Sequence, residues 1–118
     1  MSARQLIDQG ITFSDQLHMH HNIEEQMVFP MLGRRMPEFR GDLQGQHKQI
    51  HKGLDGFVAY LRECRRGGDK ELDLAVLKEK MEGWGGVLWE HLDDEVKALG
   101  AENMRKYWTV DEVRKMRF

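Results

Sequence analysis

Six histidines stand in the 118-residue chain, and four of them pair with a second candidate metal ligand four residues away. The pairs are His20/Glu24, His47/His51 and His91/Glu95. Residues four apart share one helix face, roughly 6 Å from each other, so both side chains of a pair reach one point. Imidazole and carboxylate together suit iron, manganese and zinc. One such pair is more often a satisfied core hydrogen bond than a metal site. Three pairs, one per helix, favour metal. An ionised carboxylate is costly in a core, and the stripes that carry Glu24 and Glu95 contain no Lys or Arg. A bound dication would compensate both carboxylates and hold the histidines neutral. Six converging ligands exceed the four of a tetrahedral zinc site, which points to two ions.

Helices must position these groups. Apolar periodicity predicts three long ones, over about residues 3–31, 41–66 and 70–99. The first stripe reads Leu6, Gly10, Phe13, Leu17, His20, Glu24, Met27, Met31. The second reads Leu43, His47, Ile50, Leu54, Phe57, Leu61, Cys64, with His51 on its flank. The third reads Leu74, Leu77, Met81, Trp84, Leu88, His91, Glu95, Ala98. Pro30 and Pro37 bracket the first break. Gly67-Gly68-Asp69 marks the second, with Asp69 the expected N-cap, and Gly100 ends the third helix. Thr109-Val-Asp-Glu112 reads as a capping box that opens a short helix over 109–116. No alternating strand pattern is present. The expected class is all-α, as one domain over 1–118.

Composition excludes several function classes. With 18 basic and 20 acidic residues the net charge is −2, so no field holds nucleic acid or an anionic membrane. No run approaches the ~18 apolar residues of a membrane span, and the N-terminus has no signal-peptide core. The single cysteine, Cys64, permits no intrachain disulfide, which makes a cytoplasmic setting the expectation. Cys64 itself reads as a buried small hydrophobe. The seam methionines read as core filler. His18 and His21 read as surface residues, and Glu25 as either an outer partner of a histidine or an exposed charge. Gly83, Gly85 and Gly86 around Trp84 cost a helix about 1 kcal/mol each against alanine, so a kink or a close backbone approach is expected there.

Three blocks together carry a resemblance. They are His20-His21-Asn22-Ile23-Glu24-Glu25 followed by Phe29-Pro30, then His47-Lys48-Gln49-Ile50-His51, then His91-Leu92-Asp93-Asp94-Glu95. In order and spacing the chain resembles the hemerythrin-like, or HHE cation-binding, domain family. The resemblance implies an up-down four-helix bundle around a non-haem di-iron centre with carboxylate and oxo or hydroxo bridges. It implies His20, His47, His51 and His91 as terminal ligands and Glu24 and Glu95 as bridging carboxylates. Some relatives carry an aspartate one position later in the last block; here that position is Val96, which favours Glu95. Zinc or manganese are the alternative metals, and O₂ or a small oxidant the expected ligand. Ferritin-like bundles use Glu-x-x-His pairs, and no histidine here has a glutamate three residues before it.

The family carries one more helix, and one more histidine, ahead of the first helix read here. The fourth bundle position is therefore filled by another subunit, left open, or absent in a shortened form. A bare apolar face favours a homo-oligomer. Phe13, Leu17, Leu54, Trp84 and Leu88 are the candidate pocket wall. Three function classes follow: a sensor or carrier of oxygen, iron or redox state; a di-iron oxidase or peroxidase; and a structural zinc-binding helical subunit.

Overall fold

The computed structural model describes residues 1–68 and 72–116. α1 (Ala3–Ile23) opens on a capping box: Ser2 Oγ accepts from the Gln5 N–H, and Gln5 Oε1 accepts from the Ser2 N–H. The helix does not stop at Ile23. It widens into a π-turn at Glu24–Val28 and resumes as α2 (Phe29–Leu32). Pro30 lacks an N–H, so the regular ladder fails there. The Phe29 N–H instead reaches back five residues to the Glu24 carbonyl. The extra residue in this turn resets the helix face beyond it.

A 3₁₀ turn at Pro37–Phe39 leads into α3 (Asp42–Arg66). Gly68, in the left-handed region at φ 75°, ends that segment. α4 (Leu74–Leu99) starts on Asp73, whose side chain accepts from the Ala75 N–H. The cap expected at Asp69 lies outside the described residues; the cap seen is Asp73, and the helix starts four residues later than about residue 70. Gly100 ends α4, as expected, and α5 (Ala101–Met104) follows it. α6 (Val110–Arg114) carries the expected capping box between Thr109 and Glu112. The described residues contain no strand, and none of their helices is long and apolar enough to cross a membrane.

α3 is the middle helix, with α1 and α4 packed on either side. Leu43, His47, Ile50, Leu54, Phe57, Leu61 and Cys64 are all buried, as a helix with neighbours on both flanks requires. On α4, Leu77, Trp84, His91, Glu95 and Ala98 are buried, while Leu74 and Met81 face water. α4 runs as one helix through Gly83, Gly85 and Gly86, and a Cβ at any of these three would meet nothing within 4 Å. The close approach is supplied from α3: a Cβ on Gly53 would lie 2.5 Å from the Trp84 Cβ.

α1 departs from expectation. Its buried residues are Ile7, Ser14 and His21, then Glu24, Phe29 and Leu32, whereas Phe13 and Met27 are exposed. Two causes act. Upstream, the expected stripe faces a groove that nothing in the described structure covers. Downstream, the π-turn inserts a residue and brings Phe29 and Leu32 inward in place of Met27 and Met31.

Candidate metal centre

The centre lies where α1, its π-turn, α3 and α4 converge, between two apolar clusters. His21, Glu24, His47 and His91 each offer a ligand atom, and those atoms all lie within 4.8 Å of one another. All four residues are buried. Glu95 joins them, its Oε1 3.3 Å from His91 Nε2.

Outer contacts fix two of the rings. His47 Nδ1 lies 3.0 Å from Glu25 Oε1, so the nitrogen donates to the carboxylate. His91 Nδ1 lies 2.9 Å from Gln46 Oε1 and donates to it. Each neutral ring then carries its hydrogen outward and a bare lone pair on Nε2. Those two Nε2 atoms face each other at 3.0 Å. Glu24 Oε1 is 3.5 Å from His47 Nε2 and 3.2 Å from His20 Nε2. Glu24 Oε1 and Glu95 Oε1 are buried and have no hydrogen-bond partner among the described residues. The interior of the centre is thus a cluster of acceptors short of donors.

Such a cluster is unfavourable unless something positive enters it. Burial, and then the neighbouring Glu95, push the Glu24 carboxyl up to about 8. Burial works the same way on Glu95, but the neighbouring His91 and Glu24 outweigh it and hold Glu95 down at about 2. In the absence of a cation the two carboxyls share one proton. Burial also lowers His21 to about 3, with His47, His51 and His91 adding repulsion, and burial lowers His47. The His21 and His47 rings are therefore neutral, the form that binds a metal.

Spacing fits a cation as well. Metal bonds of ~2.0–2.2 Å set neighbouring ligand atoms about 3.0–3.5 Å apart. The contacts of 3.0, 3.2, 3.3 and 3.5 Å in this cluster fall in that range.

Of the six residues read from sequence, Glu24, His47, His91 and Glu95 meet in the core. His20 sits at the mouth, its side chain 62% exposed, touching Glu24. His51 stands one layer out, with Nε2 3.0 Å from His21 Nδ1 and its ring beside His18. His21 is a correction: expected at the surface, it is only 1% exposed and stacks on His47 with ring centroids 3.8 Å apart. The signal was the seven-residue step Ile7, Ser14, His21, masked because Ser14 is polar. Glu25 takes the outer role on His47. Gln46 and Asp94 were not singled out for such a role; their only mark is position, one residue before His47 and three after His91. Cys64 is buried and free in the apolar cluster, as expected.

Searches of curated proteins and of solved structures gave no match. A profile of protein families did: the hemerythrin HHE cation binding domain matches residues 2–101. That span holds the whole His/Glu cluster and all three long helices. On that match, this chain belongs to the hemerythrin HHE cation-binding domain family.

Proposed function

We propose that the centre holds iron, as two ions that Glu24, Glu95 and the histidines would hold, and that it binds or senses O₂, a small oxidant or the iron and redox state of the cell. One observation carries the cation itself: two imidazole lone pairs opposed at 3.0 Å, flanked by two buried carboxylate oxygens without donors. Two ions rather than one is favoured by donor number, since His21, Glu24, His47, His91 and Glu95 crowd one small volume and His20 stands at its mouth. Iron bound here would supply reversible electron transfer and a coordination position for O₂ or a small oxidant.

The chain's own groups do the rest. Glu24 and Glu95 neutralise the ions. Glu25 and Gln46 hold two rings in place. Phe29, stacked on His47 with ring centroids 4.9 Å apart, keeps water from the closed side. Exposed His20 marks the side from which a small molecule enters.

We also propose that a second copy of the chain covers the groove between α1 and α4. The groove is about 950 Å³ and almost wholly apolar. Its polar lining residues are Gln9, Lys78 and Glu82, and the last two already pair with each other at 3.9 Å, so the face carries no unpaired charge against a second copy of itself.

Metal analysis of the purified protein, with its absorption spectrum in air, tests the centre. Iron with an O₂-dependent band is the expected result. His47→Ala and His91→Ala should each sharply reduce iron while helicity by circular dichroism holds. Undiminished iron in both variants would overturn the assignment. Stoichiometric zinc without a redox spectrum would move the protein to a structural role, and turnover of peroxide would move it to an enzyme.

A further inference from the structure

His91 is held by a relay of two side chains, neither of them a candidate ligand. The Gln46 amide nitrogen donates to Asp94 Oδ2 at 2.7 Å. The Gln46 amide oxygen lies 2.9 Å from His91 Nδ1. A carboxylate only accepts, so the NH₂ end of the amide must face Asp94. The oxygen end must then face His91, which leaves Nδ1 no choice but to carry the hydrogen. That places the bare lone pair on Nε2, the atom that faces His47 Nε2 and Glu95. Reversed, the amide would set NH₂ against an imidazole N–H and a carbonyl oxygen against a carboxylate.

Resting on the metal reading above, we infer that Gln46, oriented by Asp94, is a positioning residue: it selects the His91 tautomer that presents Nε2 to the cation. The arrangement spans two helices, with Gln46 on α3 and Asp94 and His91 on α4. It therefore also fixes the rotation of α4 against α3 at the level of the site. His47 gets the same service from a carboxylate directly, through Glu25. His91 gets it from a neutral amide backed by a carboxylate, so no full negative charge meets its Nδ1. Outer partners of metal-binding histidines are commonly worth ten- to a hundredfold in metal affinity.

The experiment uses the full chain, the metal-free protein for one arm and cobalt(II) for the other. Long-range ¹⁵N–¹H correlation reads which nitrogen of His91 is protonated before any metal is added. Cobalt(II) titration by competition reads affinity. Gln46→Leu keeps a similar volume at a part-buried position, and circular dichroism checks that it folds. It is expected to move His91 from the Nδ1–H form toward the Nε2–H form and to weaken cobalt binding ten- to a hundredfold. The double variant Gln46→Glu/Asp94→Asn reverses the middle hydrogen bond but still offers an acceptor to His91 Nδ1. It should restore both the tautomer and most of the affinity. A His91 that stays Nδ1–H in Gln46→Leu, with affinity within twofold of wild type, overturns the inference. So does a double variant no better than Gln46→Leu. Wild-type protein that takes up no cobalt overturns the metal centre instead, while the tautomer comparison, made without metal, still decides the role of Gln46.

Discussion

The two halves of the molecule on either side of the histidines are finished differently. Beyond the site, toward the loop that joins α2 to α3, Phe29, Leu32, Met36, Phe39, Leu43 and Ala98 form a closed cluster. The chain's own C-terminal segment lies over it, through Met104, Tyr107, Trp108 and Met116. On the other side, Ile7, Leu54, Phe57, Leu61, Leu77 and Trp84 form a core with three helical walls and, among the described residues, no fourth. There Phe13, Leu74 and Trp89 stand 45%, 67% and 70% exposed. The closed half needs nothing further. The open half leaves an apolar strip wet, with Leu6, Gly10 and Phe13 as its α1 wall. Glu24 and His21 are buried on the side of α1 and its π-turn that meets His47 of α3.

The largest expected effect tests this contrast directly. Phe39, 1% exposed, should lose about 3–5 kcal/mol as Phe39→Ala, since truncation leaves a cavity in a closed cluster. Phe13→Ala should change the dilute protein by only about 0.5 kcal/mol, as is usual for an exposed site. Urea unfolding of both variants gives the comparison. Equal costs would mean that the groove is covered even at low concentration. Light scattering is the companion measurement: wild type is expected to grow toward a dimer as concentration rises, and Trp89→Glu to remain a monomer. A wild-type chain that is monomeric at every concentration would leave the groove open and remove the second copy from the account.

The contrast is confined to the α1–α4 side, because the α3–α4 seam is tight even in the open half. A methyl added at Gly53 would sit 2.5 Å from the Trp84 Cβ and 3.1 Å from its Cδ1. Gly53→Ala gains up to about 1 kcal/mol of helix propensity and loses about 1–3 kcal/mol to overpacking. The net expectation is destabilisation by up to about 2 kcal/mol. Gly56→Ala, whose added methyl meets nothing within 4 Å, keeps the propensity gain and should be stabilising. Thermal unfolding of the two variants shifts in opposite directions if the seam is as close as described. Two stabilised variants would mean that α4 can move off α3 at little cost.

Legibility in the sequence followed the number of neighbours each helix has. α3 is flanked on both sides, so its stripe is continuous from Leu43 to Cys64 and every member is buried. α1 has a partner on one side only, and its more apolar stripe, through Leu6 and Phe13, faces the groove. The buried stripe carries Ser14 and His21 and looks polar on paper. Pro30 announced a break, but a proline can be met by a stop or by a π-turn, and only the fold decides between them. Glu24, His47, His91 and Glu95 were legible because ligand pairs at i, i+4 survive errors in helix ends. His21, Gln46 and Asp94 were not, because their roles depend on the rotation of one helix against another. His20 and His51 share the right spacing but take positions one layer from the centre for the same reason.

The smallest expected effect concerns how the closed end stays closed. α6 is held by Arg35, whose guanidinium lies 2.6 Å from Glu112 Oε2, donates to the Tyr107 carbonyl at 3.0 Å and rests 4.4 Å from the Trp108 ring centre. The bond from Arg35, and then the Thr109 backbone N–H, hold the Glu112 carboxyl down at about 2. A carboxyl lowered on folding stabilises the folded form above its ordinary value of 4.5, and that stabilisation is lost as pH falls through about 2. Wild-type α6 should therefore stay docked through mild acid and loosen only toward pH 2. Arg35→Ala removes the first cause, so loosening should begin nearer 4.5. Hydrogen exchange at the Lys115 amide, which bonds back to the Asp111 and Glu112 carbonyls, follows α6 without reporting on the rest of the fold. Glu112 is half-exposed and salt screens its ion pair, so 1 M salt should narrow the difference between the two proteins. Equal exchange at pH 3.5 in both would mean that Trp108 and Met116 hold this end by apolar contact alone, and the closed half would owe its closure to burial and not to the ion pair.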